Sequence, residues 1–140
     1  LGSKEGKILK KGFTLVELLI VLAIIAALMA VATPTGINTL AQAKATTVAA
    51  NFRTLHQSII QMLMLEKNPP ISDILDYLYT NGYISVKPEG FLIYYIDSGS
   101  EKAYAIKYVN DDVKAANVRN INNSVQLDDD GKMIIKIPRN

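Results

Sequence analysis

FTLVELLIVLAIIAALMAVAT, residues 13–33, is the stretch that decides how the rest of this chain is organised. It carries a single charge, Glu17. At about 1.5 Å rise per residue a helix of this length covers roughly 31 Å, matching a hydrocarbon core of about 30 Å. Soluble core helices this long keep a polar face, and this one has none, so the segment reads as a membrane span. Lys4, Lys7, Lys10 and Lys11 precede it, whereas the first charge after it is Lys44. The positive-inside rule then places the preceding residues in the cytoplasm and the following hundred or so outside it. A secretory signal peptide is the rival reading, with Ala30-Val31-Ala32 as its small-residue cleavage site. Against it, the apolar run exceeds the usual length of about 7 to 15 residues, and Glu17 would weaken insertion to no purpose.

The remainder of the composition bounds what the chain can do. Its 140 residues are about one domain's worth, and 49% hydrophobic content with 20% charge is globular rather than disordered or collagen-like. There is no cysteine, which excludes disulfides, thiolate zinc sites and cysteine nucleophiles, and the one histidine, His56, would have to serve every imidazole-based site. Four of the fifteen basic residues and one of the thirteen acids fall in residues 1–12, leaving eleven against twelve in the rest. That balance offers no basic stripe for phosphates, so nucleic-acid binding is not expected. No nucleotide loop, nucleophile elbow or HExxH motif is present, and no enzymatic activity, cofactor or metal is expected.

Glu17 needs a partner. An acid at the centre of a membrane helix costs about 2.5 to 3.5 kcal/mol on insertion scales, and residues 13–33 contain no Lys, Arg or His to neutralise it. The counter-charge must come from another chain, from lipid headgroups or from a newly made amino terminus.

The string Lys11-Gly12-Phe13-Thr14-Leu15-Val16-Glu17-Leu18 resembles the processing site of type IV prepilins and the related type II secretion pseudopilins. The resemblance is close over residues 7–34, and beyond them it extends only to overall organisation. It implies a basic leader, residues 1–12, removed by a prepilin peptidase after Gly12, and N-methylation of the exposed Phe13. Glu17 then stands at the fifth mature position and Pro34 at the twenty-second. Glu17 and Thr14 become the assembly residues, with the Glu17 carboxylate pairing with the amino terminus of a neighbouring subunit. The implied product is a structural subunit of a type IV pilus or pilus-like filament. It would reside in the cytoplasmic membrane as a single-pass protein with an extracytoplasmic headpiece before assembly, and in a cell-surface or periplasmic filament afterwards. Its implied partners are other copies and minor pilins, the peptidase and methylase, an assembly ATPase, membrane platform proteins and membrane lipid. The alternatives are a type II secretion pseudopilin and a membrane-anchored extracytoplasmic binding module. Many Gram-negative pilins close a C-terminal loop with a disulfide, which a chain without cysteine cannot do, so this departure leans toward a pseudopilin or a lineage that dispenses with the bond.

Pro34 lacks a backbone donor and Gly36 adds freedom, so a kink or local melting is expected within residues 34–36 before the helix resumes. Ala41, Ala45, Val48, Phe52, Leu55, Ile59 and Met62 recur at steps of three or four, one face of an amphipathic helix running to Asn68-Pro69-Pro70. A helix over residues 13–66 would be about 80 Å long if continuous, too long for a small domain to cover. Ser72 is expected to cap a short helix that stops at Asn81-Gly82. After Gly90 the period becomes two: residues 91–96 and 103–109 form a hairpin around Asp97-Ser98-Gly99-Ser100, with Tyr104, Ile106 and Tyr108 on one face. Residues 125–127 and 133–137 form another about a two-residue Asp130-Gly131 turn, with Met133, Ile135 and Ile137 facing the long helix. The fold expected is α+β, a long N-terminal helix whose first half spans the membrane and whose second half packs against a small antiparallel sheet. Its parts are the leader (1–12), the membrane and filament-core helix (13–36), the amphipathic half (37–67) and the headpiece (68–140).

Among blander features, His56 reads as an ordinary boundary residue on the helix. Asp128-Asp129-Asp130 reads as a solvated turn rather than a calcium loop, because three consecutive acids cannot all point one way. The tyrosines, all at or beyond Tyr77, read as half-buried strand packing with wet hydroxyls.

Overall fold

A computed structural model describes the backbone of residues 2–139 and the side chains of residues 14–31 and 38–139. Helix α1 is Gly2–Leu65, and it is followed by α2 (Ile74–Thr80), β1 (Phe91–Asp97), β2 (Lys102–Tyr108), α3 (Ala115–Ile121), β3 (Gln126–Leu127) and β4 (Met133–Pro138). The chain divides into two compact units, Leu1–Leu40 and Ala41–Asn140. The arrangement is α+β, with a long apolar helix followed by a four-stranded antiparallel sheet in the order β1-β2-β4-β3. Gly12, Phe13, Pro34 and Gly36, the expected processing and kink positions, lie outside the residues whose side chains are described.

The second unit is built on the amphipathic face of α1. Ala45, Val48, Phe52, Leu55, Ile59 and Met62 are buried, as the helical spacing predicts, and Ala49 joins them. Ala41 does not. It is exposed, so the seam begins one turn later than the periodicity suggested. Complete burial of a Leu, Ile, Phe or Met side chain contributes about 1.5 to 3 kcal/mol, and four such residues on this face, Phe52, Leu55, Ile59 and Met62, have no exposed surface. Phe52 meets Phe91 of β1 edge to face at 4.9 Å between ring centroids, joining helix to sheet.

The two hairpins supply the opposing layer. β1 and β2 pair from Phe91↔Tyr108 to Asp97↔Lys102, and β2 continues into β4 from Ala103↔Pro138 to Tyr108↔Met133. Tyr104, Ile106 and Tyr108 of β2 and Met133, Ile135 and Ile137 of β4 are buried in the core with the α1 face. Ile134, which alternation places on the opposite face, is buried as well. Its neighbours in register are Lys107 and Gln126, and Lys107 reaches across to Asp128, so an aliphatic stem lies on that face.

Two local expectations are corrected. Asp73, not Ser72, occupies the N-cap of α2, in a left-handed conformation (φ 51°) with no side-chain cap bond. Asn81-Gly82 does end α2: the Gly82 amide donates to Tyr79 and the Tyr83 amide to Leu78, the paired bonds of a Schellman stop. The final hairpin turns through three residues rather than two. The Asp128 amide donates to the Lys132 carbonyl (2.8 Å) and the Gly131 amide to the Asp128 carbonyl (3.0 Å). The connection is therefore Asp129-Asp130-Gly131, with Gly131 at φ 78° in the position that needs a left-handed residue.

Polar side chains fasten the connections. Ser58, buried on α1, has its hydroxyl between the carbonyls of Thr54 (2.7 Å) and Tyr83 (3.1 Å), tying the segment after α2 to the helix. The hydroxyls of Tyr77 and Tyr83 both donate to Glu66 Oε1, at 2.8 and 3.0 Å. Tyr104 donates to the Pro70 carbonyl (2.7 Å) and Tyr108 to Asp112 (2.6 Å). Four tyrosine hydroxyls are thus committed to protein acceptors rather than left to water, and they pin the loops that the prolines and asparagines open.

Candidate functional site

Two regions can carry function: the apolar half of α1 and the surface of the second unit. In the first, the window Thr14–Val31 has a mean hydropathy of 2.8 and none of it is buried. Twelve large apolar side chains between Leu15 and Val31 are 46 to 71% exposed. At about 1.5 to 3 kcal/mol for each such side chain fully covered, the segment stands to gain on the order of tens of kcal/mol from lipid or from other helices. A surface of that extent is foreign to a soluble monomer.

Glu17 lies within this surface and is itself exposed. Thr14 and Glu17 are three residues apart on a helix, which makes them neighbours on one side of it. The two therefore share one side of α1, Thr14 next to Phe13 in the chain and Glu17 about one turn beyond it. A carboxylate there can accept hydrogen bonds from a cationic amine, and it can do little else with the aliphatic groups around it.

The second unit offers no comparable chemical cluster. Among the described residues no group of three or more His, Cys, Asp or Glu is placed to hold a metal ion. His56 is half-buried, and desolvation lowers its pKa, favouring the neutral imidazole. In the acidic turn, Asp128 pairs with Lys107 at 2.9 Å and accepts the amides of Asp130 (3.0 Å) and Lys132 (2.8 Å). The Lys107 ammonium, followed in effect by these amides, holds the Asp128 carboxyl below the usual carboxylate range. The same carboxylate holds the Lys107 ammonium above its usual value. Asp128 is thus a structural clasp on the hairpin, and Lys132 pairs with Asp111 beside it.

One feature escaped sequence reasoning. A cleft of about 260 Å³ opens between residues 43–48 of α1 and the end of β2 with the segment after it, lined by Ala43, Lys44, Thr47, Val48, Tyr108, Asp112 and Val113. Burial and the hydrogen bond to Asp112 push the Tyr108 hydroxyl up to about 12, so it stays protonated and orients that carboxylate. The spacing of Tyr108 and Asp112 gave no signal, because only the turn out of β2 brings them to α1.

The prokaryotic N-terminal methylation motif matches residues 9–33 of this chain. Its span contains Gly12, Phe13, Thr14, Glu17 and most of the exposed apolar helix. The match covers 25 of the 140 residues, and over that span it supports a type IV pilin-like prepilin. Such a motif implies processing by a prepilin peptidase and pilus assembly in general, and with the apolar helix it fits a membrane-anchored, surface-exposed pilin. Comparison with the curated proteins and with the solved structures gave no match.

Proposed function

We propose that this chain is a structural subunit of a type IV pilus or pilus-like filament, cleaved between Gly12 and Phe13, methylated on Phe13, and assembled through the apolar half of α1. The observation that carries this reading is the exposed Thr14–Val31 surface with one acid near its start, inside the methylation motif. Before assembly, lipid covers that surface as the helix crosses the cytoplasmic membrane once. Afterwards the helices of neighbouring copies cover it, and the Glu17 carboxylate faces the new amino terminus of an adjacent subunit, with Thr14 beside it. A buried charge whose partner is missing is penalised by about 3 to 5 kcal/mol, so the pairing also rejects misregistered subunits. Pro34 and Gly36 give the helix a point of adjustment between its lipid-facing and headpiece-facing halves. Nothing in the sequence resembles a nucleotide-hydrolysing loop, so an assembly ATPase and platform proteins would supply the work of extrusion.

A secretion pseudopilin uses the same apparatus, and the absence of cysteine suits it equally. Electron microscopy of cells with and without the chain tests both readings. Long surface filaments that vanish with the chain and return with it establish the pilin. Short periplasmic filaments accompanied by failed export of folded proteins establish the pseudopilin. Neither phenotype would leave the headpiece as an anchored binding module.

A further inference from the structure

The cleft on the headpiece is mainly apolar and, at about 260 Å³, falls below the roughly 300 to 1,000 Å³ of small-molecule sites. Its size suits one or two protein side chains. Lys44 and Asp112 contribute one charge of each sign to its lining, and both are exposed. At the other end of the same stretch of α1, Met64 and Leu65 are 80% and 68% exposed, an unusual state for adjacent large apolar residues in a folded unit. Beyond them Glu66 is held by the Tyr77 and Tyr83 hydroxyls, and Lys67 is exposed. Thr47 in the cleft and Leu65 are eighteen residues apart, five full turns at about 3.6 residues each, so both lie on one side of the helix, roughly 27 Å from one another.

From these placements we infer that headpieces join head to tail in the filament: Leu65 of one copy enters the cleft of the next, with Lys67 toward Asp112. A second copy of this chain is the fitting occupant because each surface supplies what the other lacks. One is a concave, mainly apolar site with the Asp112 carboxylate on its lining, and the other is a convex apolar tip followed by the exposed Lys67 ammonium. Unlike surfaces at opposite ends of one body form a heterologous contact, which repeats without closing and builds a filament rather than a dimer. The flanking charges set register and exclude reversed subunits more than they add affinity. This inference rests on the filament reading and adds a specific headpiece contact to it.

The absence of cysteine makes the test direct. Thr47→Cys and Leu65→Cys are introduced together. Both positions are exposed, so the fold tolerates them, and at about 27 Å apart on one helix the two thiols cannot bridge within a chain. Filaments are imaged, oxidised in air, and run on a denaturing gel without reductant. A ladder of covalent multimers, absent from each single variant and from Leu65→Cys combined with Glu101→Cys, is the expected result. Filaments that form normally yet give no ladder, or a ladder as strong in the Glu101 control, overturn the head-to-tail contact and leave the filament reading standing. If even the unaltered chain makes no filament of any length, the filament reading fails and the contact with it.

Discussion

Glu17 stands on an exposed helix face among leucines, valines and isoleucines, with no basic residue in residues 13–33 to answer it. A carboxylate so placed hinders insertion slightly and is useful only where a cation is brought to it. Glu17→Ala should therefore leave membrane insertion intact, measured by fractionation, while cutting filament yield by an order of magnitude or more. Equal yields from the variant and the parent would remove the charge-pairing role. Gly12 precedes the bond proposed for cleavage, and a residue without a β-carbon lets a peptidase hold the backbone closely. Gly12→Val should accumulate at its unprocessed mass in the membrane; efficient cleavage of that variant would place the processing site elsewhere. Both expectations arise from exceptions to their surroundings, an acid in an apolar run and a glycine at the junction of a basic prefix. Lys44, Asp112 and Leu65 carry no such signal, since each is ordinary until the fold brings Lys44 and Asp112 to one cleft and leaves Leu65 exposed at the end of α1.

Among the elements, the core face of α1 was readable because burial on a helix follows its 3.6-residue period, and Ala45 to Met62 obey it. The first hairpin was readable for the corresponding reason at period two. The details that went astray are governed by backbone geometry rather than by pattern: the left-handed Asp73 at the start of α2, and the three-residue turn in which Asp128 captures two amides of its own loop. Two glycines separate backbone strain from crowding. A Cβ on Gly131 meets nothing within 4 Å, so Gly131→Ala should cost only the left-handed penalty of about 1 to 2 kcal/mol. A Cβ on Gly90 would lie 2.9 Å from the buried Tyr108 ring as well as 2.5 Å from the Asn110 amide, so Gly90→Ala should cost clearly more. Denaturant titration of the full chain in detergent compares them, and equal costs would count against the packing around Tyr108. The Asp128–Lys107 clasp has a pH signature. The carboxyl is depressed in the folded state, so its contribution is complete above the ordinary aspartate range and is lost as pH falls through the lower folded value. Lys107 is raised, so its contribution holds below the ordinary lysine value and is lost as pH climbs through the higher folded one. Asp128→Asn should accordingly flatten the acid limb of melting temperature against pH, and an unchanged limb would show that other carboxylates control it.

At the scale of the whole molecule, the two units divide the labour. Residues of the first present apolar surface that only lipid or like helices can cover, while the second is a self-sufficient core of one helix face and four strands. On the proposed reading the segment has two settings, lipid and filament, and passage between them follows removal of the basic prefix, which supplies a cationic amine where Glu17 is buried. The direct check is the mass of the amino-terminal peptide from chains recovered in filaments. The account predicts methylated Phe13. A chain still carrying residues 1–12 in working filaments, or one beginning at Thr33 after signal-peptidase cleavage, would contradict it.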